Sequence, residues 1–429
     1  MQNGSVPSTL PVADPAPIDG RLPVETLEAA RGTGFGVYVH VPFCETRCGY
    51  CDFNTYTALD LGANVNRGSY ADSVVSEIRL AARVLGESDH TGDRIPPVSS
   101  VFFGGGTPTL LPAAHLGRIV REIAETFGLA ANAEVTTEAN PETVSPAYFG
   151  ALRAAGFTRV SLGMQSAVPS VLEVLDRRHR PGRPEECVAE AHAAGFEHVN
   201  LDLIYGAPTE RDVDWRRSLE TAIDAGPDHI SAYALVVEHG TALARKVDAG
   251  QLDPPDDDVL ADRYLIAEEM LAAAGFQWYE VSNWARTTAA RSTHNDLYWS
   301  DANWWGFGPG AHSHVGDVRW WNTKHPARYA ALLGAGRSPA VGREVLDDQD
   351  RLTERVMLGV RRRSGLTVGD VPPIGRTAIP QLVSWGLIEP GAVDAGRVVL
   401  TLRGRLLADA VVRELLRDTT SAWQWRHSG

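Results

Sequence analysis

Three of the four cysteines fall within eight residues, in Cys44-Glu45-Thr46-Arg47-Cys48-Gly49-Tyr50-Cys51. Thiolates at CxxxC and CxxC spacing can surround one metal centre while leaving a ligand position open. With iron and sulfide they make a [4Fe-4S] cluster whose fourth iron takes a small molecule. With zinc, a nearby acidic or histidine ligand would close the tetrahedron, and spacing alone leaves both readings open. Four cysteines in 429 residues are no disulfide framework; clustered, they suit a metal or redox centre in a reducing compartment. Cys187, in EECVAEAHAAG, reads as a packed helix residue.

A thiol loop needs a rigid support, and the chain supplies one. FGVYVHV, Phe35 to Val41, has strand composition and ends just before Cys44. Further strands are expected at Val101 to Phe103, Glu134 to Ala139, Arg159 to Gln165, His198 to Gly206 and His229 to Val236, with amphipathic helical stretches between them. Parallel strands need long crossovers, so this alternation of six strand-helix units predicts an α/β fold, a parallel sheet with covering helices that resembles a barrel or partial barrel with working loops at the C-terminal ends of the strands. Four regions are expected: a flexible tail over 1–33, a barrel core over 34–275, a tryptophan-rich extension over 276–348 and a small helical, winged-helix-like C-terminal domain over 349–429. The extension, with seven of the eleven tryptophans between Trp278 and Trp321, is expected to pack extra strands and loops over one face of the sheet. Its Trp304, Trp305, Trp320 and Trp321 would either seal the open barrel or line a large apolar pocket. The basic run Arg361 to Arg363 reads as a solvated helix end.

Composition narrows the function. A net charge of -14 argues against broad nucleic-acid binding. No apolar run reaches the roughly 20 residues that span a bilayer, and the N-terminus has no basic and apolar leader pattern. A cytoplasmic protein with at most peripheral membrane contact is expected. No Ser-His-Asp triad, HExxH site or P-loop stands out, and no catalytic residue is assigned.

The motifs resemble, in order, those of the radical S-adenosylmethionine superfamily and its coproporphyrinogen-dehydrogenase-like branch. They are YVHVPFCETRCGYCDFN, GGGTPT at Gly104 to Thr109, TTEANP at Thr136 to Pro141, SLGMQS at Ser161 to Ser166, NLDLIYGAP at Asn200 to Pro208 and HNDLYWSDANWWGFGPGAHS at His294 to Ser313. The resemblance implies a partial (β/α)6 barrel of TIM type. It also implies that Cys44, Cys48 and Cys51 hold three irons while S-adenosylmethionine chelates the fourth, and that one electron then cleaves its sulfonium to a 5'-deoxyadenosyl radical. It places Tyr38 and Tyr50 beside the cofactor, Gly105, Gly106 and Thr107 at its methionine end, polar contacts on Glu138, Gln165, Arg177 and Asp202, and Val236 along the adenine. The glycines are expected to leave N–H groups free for a carboxylate.

One departure selects within the branch. The porphyrinogen-oxidising members carry a fourth cysteine two residues after the third; here that position is Phe53. The CDF form resembles the haem chaperones of the HemW type, which bind haem and pass it to acceptor haemoproteins and whose HNxxYW motif, here His294 to Trp299, is linked to haem. His294 is thus the candidate haem contact, with His312 and His314 as further histidines; the alternative is that His294 and Asn295 bond loop backbone while Tyr298 and Trp299 pack the core. The expected cofactors are the cluster, S-adenosylmethionine and haem. The expected partners are haem as cargo, acceptor haemoproteins, an electron donor such as flavodoxin or ferredoxin, and a second copy in a homodimer that would shield the cluster. An oxygen-independent coproporphyrinogen III oxidase and a zinc-stabilised adaptor are the alternatives.

Overall fold

The computed structural model describes residues 13–30, 33–57, 66–87 and 96–417. Six strands, β1 (Phe35–Val41), β2 (Val98–Gly105), β3 (Leu129–Ala139), β4 (Arg159–Gln165), β5 (His198–Tyr205) and β6 (His229–Ala234), lie side by side in chain order. All five of their pairings are parallel. Helices such as Tyr70–Glu87, Ala113–Phe127 and Asp212–Asp224 make the crossovers. This is the open barrel that the strand and helix alternation predicts.

The strands divide their side chains strictly by parity. One set, including Val37, Val39, Val101, Phe103, Val135, Val160, Leu162, Leu201, Leu203 and Ile230, is buried in one large apolar core. The opposite set runs Tyr38 and His40 on β1, Ser100 and Phe102 on β2, Glu134, Thr136 and Glu138 on β3, Arg159 and Ser161 on β4, Asn200 and Asp202 on β5, and His229, Ser231 and Tyr233 on β6. Period-two alternation puts these on the concave face. The barrel lumen is therefore polar, unlike the branched apolar layers that fill a closed barrel.

The tryptophan-rich region covers one face only in part, where its helix Thr293–Trp299 lies on the concave face against Gly36, Ser100 and Phe102. It lengthens the same sheet at both ends, because its short strands find free ladders at the barrel's two edges. β7 (Gln277–Glu280) and β8 (Asn283–Ala285) follow β6; β9 (Asn303–Phe307) pairs parallel with β1 and is extended antiparallel by β10 (His312–Val315), β11 (Val318–Asn322) and β12 (Ala340–Val345). Trp305 and Trp320 meet edge to face at 4.7 Å, and Trp305, Trp320 and Trp321 are buried between these elements.

Two further expectations change. The described part of the tail is anchored: Leu22, Leu27 and Ala30 join the main core, and Asp14 exchanges backbone hydrogen bonds with Arg343 on β12 at 3.1 and 2.8 Å. Nor is the basic run a solvated helix end. Arg361 binds Asp409 and the Met357 carbonyl, Arg362 pairs with Asp296 at 3.3 Å, and Arg363 donates from its backbone to the Tyr279 carbonyl at 2.8 Å. These arginines fasten the last 60 or so described residues, which have their own core around Val356, Leu382, Ile388, Val398, Val411 and Leu415, to the edge strand β7. In that unit a two-residue ribbon, Leu366–Thr367 with Arg397–Val398, brackets the middle helices. No helix of the described residues is long and apolar enough to cross a membrane.

Candidate cofactor site

The cysteine loop leaves β1 at Val41 and is pinned at each step. Phe43 is buried edge-on against Tyr70 at 5.5 Å, Tyr56 N donates to the Pro42 carbonyl at 2.7 Å, and Cys44 N to the Tyr56 carbonyl at 3.0 Å. Gly49 bridges the Leu175 carbonyl and the Leu243 amide. Tyr50 packs against Val168, Val171, Leu175 and Leu243 beneath the loop. All four cysteines are free thiols. Thr107 Oγ1 reaches Cys44 Sγ at 3.9 Å, and Arg177 Nη1 reaches Cys48 Sγ at 3.8 Å. Burial raises the Cys44 thiol and pushes Cys51 up to about 11, so a metal taken up by these thiols would displace protons.

The glycine turn works differently from the sequence expectation. Its N–H groups are not free: Gly105 donates to Glu138 Oε2 at 3.1 Å, Gly106 to the Val41 carbonyl at 2.7 Å and Thr107 to the Phe43 carbonyl at 2.7 Å. The turn clamps the cysteine loop to the end of β2. A Cβ on Gly106 would fall on the Phe43 carbonyl, and Gly105 sits at φ +104°, so the close backbone approach is what requires glycine.

Around this clamp stand the other candidates. Burial and then Asp202 push the Glu138 carboxyl up to about 8, while the Gly105 amide opposes the rise. Burial also raises Asp202, against hydrogen bonds from Ser161, Ser231 and Asn200. Arg177 Nη2 donates to the Gly163 carbonyl at 2.8 Å, and its buried Nε has no partner. Gln165 adopts φ +65° at a bulge against β5, which turns it with Arg177 over Gly163; a Cβ there would lie 2.8 and 2.9 Å from their nitrogens. Tyr38 donates to His40 Nδ1 at 3.0 Å, and His40 Nε2 donates to the Asn54 carbonyl of the cysteine loop at 3.0 Å. Val236 lies half-buried two residues beyond β6. Cys187 is buried on its helix, with its thiol 3.6 Å from the Pro141 carbonyl.

His294 is elsewhere. The short helix Thr293–Trp299 crosses the opposite end of the lumen and closes its floor. The Leu297 side chain lies where a Cβ on Gly36 would be, at the start of β1. Gly36 and Val41 are five residues apart, about 16 Å at roughly 3.3 Å per residue. Both His294 ring nitrogens are engaged, Nδ1 with Ser100 Oγ at 2.6 Å and Nε2 with Tyr298 Oη at 3.1 Å, and the ring stacks on Phe102 at 4.9 Å. Burial lowers its pKa to about 3. It offers no free nitrogen in this conformation. His312 stacks on Trp321 at 5.7 Å, and His314 lies 3.8 Å from Asp301.

Several residues at the site escaped sequence reasoning: His40, Asn54, Asn200, His229 and Tyr233. All but Asn54 had a signal, a polar residue at every second position of an otherwise apolar strand, as in HISAY and NLD.

The family model of the radical SAM superfamily matches residues 38–222. The chain is 51% identical over 398 residues to the heme chaperone HemW of Mycobacterium tuberculosis strain H37Rv, covering 92% of this chain and 99% of that protein. The chain belongs to the HemW family of the radical SAM superfamily. Another relative of this HemW-family chain is the mouse protein named radical S-adenosyl methionine domain-containing protein 1, mitochondrial, at 33% identity over 92% of this chain and 90% of that one. The fold is that of coproporphyrinogen III oxidase HemN from Escherichia coli, with TM-score 0.76 at 23% identity, over 93% of this chain and 94% of that one.

The superfamily's cofactors are a [4Fe-4S] cluster and S-adenosylmethionine, and the residues of this HemW-family site fit them. Thiolates are soft ligands suited to iron–sulfur clusters. Arg177 Nε is a buried donor awaiting an acceptor, and the loop's closeness to β2 exists only because Gly106 has no side chain. Among the described residues no three Cys, His, Asp or Glu side chains converge tightly enough to hold one metal ion. A cluster demands less convergence, because each thiolate takes its own iron.

Proposed function

We propose that this protein is a haem chaperone that binds haem and delivers it to acceptor haemoproteins. The observation that carries the reading is the near full-length likeness to a protein named heme chaperone, combined with Phe53 two residues beyond Cys51. Phe53 is 54% exposed on the cysteine loop, so the position offers no fourth thiol beside the cluster ligands.

In this reading Cys44, Cys48 and Cys51 hold the cluster. Arg177 and Gln165 meet the carboxylate of S-adenosylmethionine, Glu138 and Asp202 its ammonium and ribose hydroxyls, Tyr38 and Tyr50 flank it, Gly105, Gly106 and Thr107 receive its methionine end, and Val236 lines the adenine. When bound, the pair supplies one-electron cleavage of the sulfonium. The chain's own work is to bind and to exclude water: the glycine clamp fixes the loop, while His40 ties Tyr38 to it. Ligation of haem by His294 would need both of its ring hydrogen bonds to open. The reading brings with it a flavodoxin- or ferredoxin-type electron donor, met at the exposed Glu45 to Arg47, a cytoplasmic location, and a homodimer that sedimentation of the loaded protein would reveal.

The test is an anaerobic assay of cluster-reconstituted protein given haem, S-adenosylmethionine and coproporphyrinogen III separately and together. Haem uptake with transfer to an apo-haemoprotein, and no change in coproporphyrinogen side chains, is the expected result. Conversion to protoporphyrinogen would overturn it in favour of the oxidase.

A further inference from the structure

Below the cofactor site, a line of buried polar groups descends from Asp202 to the floor helix. Asn200 Nδ2 lies 2.8 Å from Asp202 Oδ1; His229 Nδ1 lies 2.6 Å from Asn200 Oδ1; His229 Nε2 lies 2.8 Å from Tyr279 Oη; and Tyr279 Oη lies 3.2 Å from the Ser292 amide. Ser292 is the N-cap of the floor helix, its Oγ accepting from Asn295 N at 3.2 Å. Asn200, His229, Tyr279 and Ser292 are all less than 5% exposed.

The proton positions along this line are determined by chemistry. With Asp202 ionised, as a contact to a cationic ligand requires, its carboxylate only accepts, so the Asn200 amide turns its NH2 toward Asp202 and its oxygen toward His229. That oxygen requires His229 to carry its proton on Nδ1. Burial keeps the imidazole neutral, so Nε2 accepts from the Tyr279 hydroxyl, and the Tyr279 oxygen accepts from Ser292 N–H. Every donor points the same way, toward Asp202. A run of aligned donors polarises each successive bond and favours negative charge at its end. Ser161 Oγ adds a donor to the other carboxylate oxygen at 2.7 Å.

We infer that His229 and Tyr279 are positioning residues for Asp202, and that the line they complete couples occupancy of the S-adenosylmethionine pocket to the anchoring of the floor helix. The inference rests on Asp202 contacting that cofactor. The physical content is one shared element: a ligand held by Asp202 draws on the same hydrogen bonds that fix the Ser292 cap, and coupling of binding sites is reciprocal.

The experiment uses the full chain with its cluster reconstituted, measuring the dissociation constant for S-adenosylmethionine and hydrogen–deuterium exchange at residues 293–299. Y279F keeps the ring and removes the hydroxyl; H229L removes both ring contacts; H229N restores a side-chain N–H facing Asn200. We expect Y279F to weaken binding about five- to tenfold, roughly 1 to 1.4 kcal/mol, H229L to weaken it more, and H229N to recover part of that loss. In wild type S-adenosylmethionine slows exchange in the floor helix; in saturated Y279F it does not. Each variant's unfolding midpoint identifies any that fails to fold. Unchanged binding and unchanged ligand-induced protection in Y279F and H229L, with D202N weakened, would overturn the relay alone. D202N binding as tightly as wild type would remove Asp202 as a cofactor contact and the inference with it.

Discussion

The two ends of the barrel lumen are built by opposite rules. At the cysteine end, polar groups are left incomplete: three free thiols, an Arg177 Nε without a partner, and a tight turn that exists to bring one backbone against another. At the floor, His294 is held by Ser100 and Tyr298, while His229, Tyr279 and Ser292 bond to one another up to the helix cap. An orphaned buried polar atom costs free energy until something meets it; Thr136 Oγ1 and Arg159 Nη2 on the concave face are unpaired too, but of these three Arg177 Nε is the one beside the thiols. Completeness marks a scaffold. In the proposed reading the cysteine end carries the binding chemistry and the floor the pre-organisation, although the sequence motif at the floor is the more conspicuous of the two in its aromatic and histidine content.

Substitutions can break that contrast. The largest effect is expected at the thiols: C48A should lower bound iron and acid-labile sulfide in the reconstituted protein at least about tenfold, since in the proposed reading three thiolates are the protein's whole share of the ligands. G106A comes next. Its Cβ meets backbone that cannot step aside, so we expect about 1 to 3 kcal/mol of destabilisation in chemical denaturation and cluster loading reduced several-fold. H294A should cost a similar amount, about 1 to 3 kcal/mol, by stranding Ser100 and Tyr298, yet leave iron content unchanged; a loss of cluster in H294A would erase the distinction between the ends.

A pH effect comes from the buttress beside the cysteine end. Glu77 is buried beneath the loop after β9, accepting from Tyr329 Oη at 2.5 Å, Asn322 Nδ2 at 2.7 Å and Gly308 N at 2.9 Å. Burial is the largest influence and carries its pKa from 4.5 to about 7 against those hydrogen bonds. Between these values the folded state holds a proton that the unfolded state has lost, so this contribution to stability is full below 4.5, declines as pH rises, and is gone above 7. Denaturation of wild type against E77Q from pH 4 to 8 should show the wild type losing ground in that window. The smallest effect is expected at the exposed Phe53: F53C should move stability by less than about 0.5 kcal/mol and yield no protoporphyrinogen.

Much of this was readable in the residues. The six barrel strands are evident as short apolar-rich segments alternating with helical ones, and the cysteine loop because no disulfide scheme uses three thiols. The polar lumen was written in the alternation of HISAY and EVTTE but needed the register of neighbouring strands to become a network. Three features were hidden for physical reasons. The destinations of the Gly106 and Thr107 amides, the carbonyls of Val41 and Phe43 far earlier in the chain, and of the Gly105 amide, Glu138 on β3, are long-range contacts that local pattern does not record. Arg361 to Arg363 read as solvated until Asp409, Asp296 and the edge of β7 came within reach. The tryptophan-rich strands carried no sign of which edge they would join, because either edge offers the same unpaired backbone.

That last point bears on how the molecule meets others. A long open sheet ordinarily presents two raw margins, each a template onto which a foreign strand can add and from which fibrils can grow. Here residues 14–18 bond to Arg343 and Ser338 along one margin, and Arg361 and Arg363 bond to Val281 and Tyr279 along the other. Removing the segment around Asp14 would uncover a sticky margin and turn a monodisperse preparation toward aggregation. A visiting strand that added to either margin would first have to displace these segments.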